Sequence, residues 1–274
     1  MIPAYSTIEA SIDGGIGHIR LNRPKALNAI NSPMIAEITE ALALLNKEPE
    51  VRVIVLSANG KSFSAGFDLK ESAEKNYTTT ADFKGAIEAD FDFIMQFWDS
   101  KKPTISAIQG YCIAGGMELA LACDISVASE DAIFGEPEVR FGSGIVAMIV
   151  PWLTGPKFAK EILLTGNDRI PASRALSMGL VNEVVPAGQQ LDRAFALAGD
   201  IIAASAISVE LTKRAINRSF DIRGMRQSLL AAVDADIIIE SLAGPERKEF
   251  NRIRKEEGLK AAIAWRDSRF RKPT

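Results

Sequence analysis

Residues 51–56 read Val-Arg-Val-Ile-Val-Leu. A β-branched, mostly apolar run of this length suits a strand buried on both faces, and such a strand needs a covering layer on each side. Further strands are expected at Thr104–Ile108, Asp124–Ala128 and Ala132–Phe134. Between the first two of these lies Ala114–Cys123, a good helix former with a Gly-Gly start. This strand–helix–strand rhythm predicts an α/β core with mainly parallel strands.

The flanking segments fit that frame. Residues 6–21 read as a hairpin turning at Asp13-Gly14-Gly15. A helix is expected to start at Ser32, with serine as N-cap and Pro33 in the first turn. Thr78–Ser100 reads as helical, and its phenylalanines and Trp98 fit core packing. After residue 190 helical periodicity takes over, through Leu191–Ala204, Ser208–Phe220, Gly224–Leu242 and Pro245–Arg269. A boundary is placed near residue 200, giving an α/β core over 1–200 and a helical region over 201–274. No Pro/Ser/Gly-rich linker separates the two, so they are expected to pack together. The charged stretch Pro245–Glu249 reads as a solvated helix face.

Several function classes are disfavoured. The single histidine, His18, lies in an alternating run that reads as a surface strand, and no Cys/His cluster offers a metal site. Cys112 and Cys123 sit in apolar surroundings and read as buried structural thiols, in keeping with a reducing compartment. The formal net charge of −3 argues against a nucleic-acid partner. No basic segment followed by an apolar run opens the chain, and no apolar stretch approaches the roughly 20 residues that span a bilayer. A cytoplasmic protein is expected.

Chemistry gathers around two glutamates. Glu118 follows Ala114-Gly115-Gly116-Met117, and Glu138 ends Phe134-Gly135-Glu136-Pro137-Glu138. One carboxyl can give a proton while the other takes one. Backbone N–H groups at the small-residue turns, including Ser64-Ala65-Gly66-Phe67, can hold a negative oxygen. That combination suits proton chemistry beside a carbonyl. Glu136 competes with Glu138 as the reactive residue.

Five segments, in order, resemble the enoyl-CoA hydratase/isomerase (crotonase) superfamily. They are Leu21–Ala29, Phe63–Leu69, Ala114–Ala120 with Cys123-Asp124, Phe134–Glu138, and Ala172–Val185. The motif pattern is most similar to enoyl-CoA hydratase. The resemblance implies a spiral of ββα units with a helical C-terminal oligomerisation region. It implies an oxyanion hole from the N–H groups of Phe67 and Gly115, and acid/base catalysis by Glu118 and Glu138. Which of the two is acid and which base stays open. Coenzyme A is implied to lie along Lys25, Ala26 and Leu27 and along Ala65, Phe67, Asp68, Leu69 and Lys70. Ala65 and Leu69 would offer main-chain contacts, and Lys25 and Lys70 would face phosphates. The implied reaction adds water to a 2-enoyl-CoA without metal or redox cofactor. A homotrimer or homohexamer is implied, with the tail Trp265–Phe270 at a neighbour's acyl pocket.

The resemblance weakens after Glu138. Val139–Met148 lacks the internal proline and late glycine pair usual there, which bears on acyl-group shape. Arg140, within it, reads as solvent-facing. The rivals are an enoyl-CoA isomerase using Glu138 alone and a non-catalytic acyl-CoA- or RNA-binding homologue. Retention of both acids favours hydration.

Overall fold

The chain opens on the expected hairpin, β1 (Ile8–Asp13) and β2 (Ile16–Leu21), paired antiparallel with Ile8 opposite Leu21. Gly14 and Gly15 have φ of 53° and 85°, the pair of left-handed residues that a two-residue hairpin turn requires. The computed structural model describes residues 2–75 and 77–270. Helix α1 (Ser32–Lys47) follows, capped one residue earlier than expected: Asn31 accepts from Met34 N–H. Ser32 is instead engaged by Glu71 through its N–H and hydroxyl.

β3 (Val53–Ala58) is the strand anticipated over 51–56. Then come α2 (Leu69–Glu74), α3 (Thr80–Met95), β4 (Thr104–Ile108), β5 (Tyr111–Ile113), α4 (Gly115–Leu121), β6 (Ile125–Ser129) and β7 (Ile133–Gly135). A 3-10 turn at Glu138–Phe141 leads to α5 (Val150–Leu153), α6 (Pro156–Thr165), β8 (Ile170–Pro171), α7 (Ala172–Ser177) and β9 (Glu183–Val185). The rest is helical: α8 (Gln190–Ala203), α9 (Ala206–Ile222), α10 (Met225–Leu242), α11 (Pro245–Glu257) and α12 (Leu259–Ser268). The single helix expected over Pro245–Arg269 is broken at Gly258, where φ is 91°.

One sheet runs β1-β2-β3-β4-β6-β9, and all its pairs after the first are parallel. A second runs β5-β7-β8. Both faces of the large sheet are covered. Ile54 and Leu56 join the main core with α1, α3 and α4 residues, whereas Val53, Val55, Ile105 and Val127 pack beneath Ala194 and Ala198 of α8. This two-sided burial accounts for the continuous apolar reading of β3.

The second layer also corrects the reading of His18. It lies on a strand as expected but is only 8% exposed. Its Nε2 stands 2.7 Å from Ser57 Oγ, and the Phe195 ring of α8 meets it edge-on. Period-two alternation marks the two faces of a strand, but not which face a distant helix will cover. Among the described residues no single helix is long and apolar enough to cross a membrane.

Candidate active site

The loop 64–68 is stitched on both sides. Ala65 N–H donates to Leu27 O, Ile30 N–H to Gly66 O, and Asp68 N–H to Ile30 O. On the other flank Ser64 N–H donates to Tyr111 O and Ile113 N–H to Ser64 O. Two main-chain segments are thereby pressed together. A Cβ on Gly66 would stand 3.2 Å from Gly115 N, and one on Gly116 would stand 2.8 Å from Ser64 O. Side chains at either position would part the segments. The N–H groups of Phe67 and Gly115 have no acceptor among the described residues. They form an adjacent pair of free donors, as an oxyanion requires. The Phe67 ring lies over Gly115: a Cβ there would stand 2.5 Å from its Cε2. Ala114, just before, has φ 58° and ψ −140°, a conformation costly for a residue with a Cβ.

The structure brings Glu118 and Glu138 together with Glu136. Glu118 sits in the first turn of α4, and Glu138 opens the 3-10 turn after β7. All three are buried, Glu136 completely. One oxygen of Glu118, one of Glu138 and both of Glu136 have no hydrogen-bond donor. Burial, then the Glu138 charge, pushes the Glu118 carboxyl well above the usual range, against a main-chain N–H from Ala147. Burial raises Glu138 to about 7, while its own main-chain N–H, the neighbouring Glu136 carboxyl and the Arg266 charge pull it down. Glu136 is pushed well up by burial and by Glu138. Groups this close titrate as a set, so the cluster retains protons at neutral pH. Glu136, which competed with Glu138 in the sequence, is thus its buried neighbour.

The residues implied for coenzyme A fall on one surface. Lys25 and Ala26 end the 3-10 turn Pro24–Ala26, and Leu27 follows with φ 51°. The Ala65–Leu27 hydrogen bond, 3.0 Å, joins the two segments. Lys25, Ala65 and Lys70 are exposed. Asp68 is held by structural work: it pairs with Arg23 at 3.0 Å and caps α2 through Lys70 N–H. Leu69 O accepts from Arg254 of α11 at 3.1 Å, so that carbonyl already has a protein donor.

Two expectations are corrected. Arg140 is not solvent-facing: it bonds Asp168 at 3.0 Å and Thr165 O at 3.2 Å, with Phe270 against it. Arg247, in the supposedly solvated stretch, bonds Glu240 at 2.8 Å, and its Nη1 is buried. Within the chain, Trp265 of the tail joins Phe141, Phe250 and Ile253, and Arg266 reaches Asp168 at 3.4 Å. Arg266 and Asp236 were missed in the sequence. Each is one of several charges on an amphipathic helix, and nothing in such a pattern marks which of them is buried.

Cys112 and Cys123 are free and buried, and burial pushes both thiols up, away from nucleophilic use. No group of metal-ligating side chains occurs among the described residues. A cleft of about 530 Å³ lies apart from the glutamates, between Trp98, Leu153 and α9; its charged pair, Asp124 and Lys213, is bonded to itself at 2.7 Å.

Residues 11–244 match the family model for enoyl-CoA hydratase/isomerase. A probable enoyl-CoA hydratase of Mycobacterium bovis is 36% identical over 230 residues, covering 79% of this chain and 83% of the relative. A crotonyl-CoA hydratase of Syntrophomonas wolfei is 33% identical over 254 residues, covering 90% and 94%. The crystal structure of an enoyl-CoA hydratase/isomerase from Xanthobacter autotrophicus superimposes with a TM-score of 0.96 at 43% identity, covering 98% of this chain and 100% of that one. The match runs from the hairpin through the Phe67, Gly115 and glutamate segments to the C-terminal helices, and the chain belongs to the enoyl-CoA hydratase/isomerase family.

Proposed function

We propose that this protein is an enoyl-CoA hydratase, a hydro-lyase that adds water across the double bond of a 2-enoyl-CoA thioester. One observation carries the reading. Two free N–H groups, on Phe67 and Gly115, adjoin a segment bearing Glu118, which shares buried space with Glu138. The thioester oxygen would accept from both N–H groups. A carboxylate takes a proton from water as the water oxygen bonds to C3. The double-bond electrons move toward the thioester oxygen, and the enolate is held by the two donors. The partner carboxyl then delivers a proton to C2. Each well-placed donor lowers such a barrier by about 3–4 kcal/mol. Neither a metal nor a redox cofactor enters this sequence of steps.

Coenzyme A would lie along Lys25–Leu27 and Ala65–Lys70, with the two lysines as point charges for phosphates. Assembly as a homotrimer or homohexamer is part of the reading, as is a cytoplasmic location. Exposed Ile207, Leu211, Ile216, Leu230 and Ile238 on α9 and α10 support burial between subunits.

The test mixes purified protein with crotonyl-CoA and follows loss of the conjugated thioester absorbance. Glu118→Ala and Glu138→Ala are each expected to abolish turnover while leaving CoA-ester binding. No loss of absorbance across short, medium and branched acyl chains overturns hydration. Full activity of Glu118→Ala on a 3-enoyl thioester would point to an isomerase using Glu138 alone.

A further inference from the structure

Glu138 lies on a segment whose two flanks are tied to one stretch, residues 165–168 at the end of α6. On the near flank Glu136 N–H donates to Asn167 O at 3.0 Å. The main chain beside it touches the same stretch: a Cβ on Gly135 would stand 2.2 Å from Asp168 Cα. On the far flank Arg140 Nε donates to Thr165 O at 3.2 Å, and its Nη1 to Asp168 Oδ1 at 3.0 Å. The stem of Arg140 fits over Gly166, where a Cβ would stand 2.7 Å from Arg140 Cγ. Glu138 is thus suspended between two moorings on a common support.

The turn needs the second mooring. Glu138–Phe141 is a single 3-10 turn, and the i→i+3 bonds of so short a piece hold it weakly. Val139 is exposed. Phe141 stacks on Phe250 of α11, with ring centroids 5.0 Å apart, and so ties the turn to a different element. Arg140 supplies the turn's side-chain hydrogen bonds to the stretch that also holds Glu136. Its planar fork reaches two acceptors at once, which a lysine does not. Asp168 is engaged on both oxygens: Oδ1 takes Arg140, and Oδ2 takes Arg266 of α12 at 3.4 Å, with all three side chains largely buried. The Phe270 ring covers the Arg140 guanidinium at 4.7 Å.

We propose that Arg140 and Asp168 are positioning residues for the reaction, fixing the turn that carries Glu138 to the stretch that also holds Glu136. The inference rests on the hydratase reading only through Glu138, which an isomerase would use as well. Arg140 is spent on Thr165 and Asp168 rather than on substrate. Its removal therefore slows the chemical step, through a misplaced carboxyl, and spares ester binding.

Arg140→Ala leaves Asp168 paired with Arg266, and Asp168→Asn leaves Arg140 on Thr165 O, so both variants are expected to fold. Turnover is measured on crotonyl-CoA or on a 3-enoyl thioester, whichever the wild-type protein converts, beside binding of the non-reacting butyryl-CoA. Arg140→Ala is expected to lower kcat roughly tenfold to a hundredfold, the scale of a misplacement of about 1 Å, with butyryl-CoA affinity unchanged. Arg140→Lys, which reaches one acceptor of the two, is expected to recover part of the loss. Combining Arg140→Ala with Asp168→Asn should cost less than the product of the single losses, because the two side chains share one contact. Wild-type kcat in Arg140→Ala overturns the proposal, as does a loss carried entirely by weaker butyryl-CoA binding. A crystal structure of Arg140→Ala supplies a readout free of turnover: Glu138 is expected to shift relative to Glu118, and an unmoved Glu138 overturns the proposal. If Arg140→Ala does not fold, Arg140→Lys and Asp168→Asn decide on the same readouts, with the same split expected in smaller measure. Failure of the wild-type protein to hydrate crotonyl-CoA counts against the hydratase reading alone.

Discussion

Gly115→Ala isolates the packing that holds the oxyanion donors. Gly115 is not among the residues with positive φ, so alanine suits its backbone. The three atoms nearest the added Cβ all belong to the Phe67 ring, at 2.5 Å for Cε2, 2.6 Å for Cδ2 and 3.4 Å for Cζ. Ordinary carbon contacts begin near about 3.5 Å, so the ring edge must retreat by about 1 Å. Phe67 carries one of the two free N–H groups, and a ring displaced from Gly115 moves the peptide to which it is attached. Overpacking of this kind costs about 1–3 kcal/mol of stability. Loss of one oxyanion donor costs about 2.7–4 kcal/mol in the transition state, on the order of a hundred- to a thousandfold in kcat. The assay is crotonyl-CoA hydration by Gly115→Ala, Phe67→Ala and the double variant, with ester affinity measured alongside. Removing the ring removes the obstacle, so the double variant is expected to turn over faster than Gly115→Ala alone. Coupling of about 1–3 kcal/mol would report the contact. Wild-type kcat in Gly115→Ala, or a double variant no faster than it, would refute the reasoning.

Two further outcomes are expected. The neighbouring Glu136 carboxyl holds the pKa of Glu138 down, so Glu136→Ala should move the limb of the kcat/KM profile near pH 7 upward. Glu118, Asp236 and Arg266 also face Glu138, and Glu136→Gln, which still donates, should leave the limb in place. An unmoved limb in Glu136→Ala removes Glu136 from that role. The same carboxyls link pH to stability. Their folded pKa values lie above the ordinary carboxyl range, so their contribution is fully present below that range and is lost as pH rises through the folded values, about 7 for Glu138. Glu136→Gln should therefore raise Tm more at pH 8 than at pH 5, by thermal unfolding in matched buffers. Ala114→Gly relieves a strained backbone at φ 58°, and a net gain of about 1 kcal/mol is expected in denaturant melts after glycine's entropy is counted. A loss of stability would refute the strain.

The legible parts of the sequence share one property: their signal is local. Val53–Leu56 announces a doubly covered strand because every residue in it is apolar, and the hairpin announces itself through Gly14-Gly15. Glu118 and Glu138 were legible because small residues and a proline surround them in order. What stayed hidden depends on a partner remote in sequence. His18 is buried by Phe195, Arg140 by Asp168 and Phe270, and Asp236 by Gly144. The N-cap shifted from Ser32 to Asn31 because Glu71, from a distant helix, competes for the serine.

The interlock of Gly66 with Gly115 bears on how such a site can change over generations. Its donors are peptide N–H groups whose separation is set by neighbouring main chains, bridged at Ile30–Phe67 and Ser64–Cys112. The side chain at position 67 can therefore drift while the donors stay, which leaves it free to reshape the pocket. Positions 66 and 116 lack that freedom, because any Cβ there enters the joint itself, whereas a Cβ at 115 meets the side chain at 67. A library randomised across these positions should recover many residues at 67, little but glycine at 66 and 116, and alanine at 115 only beside a small residue at 67. New substrate preferences would then arise beside an unaltered centre of reaction.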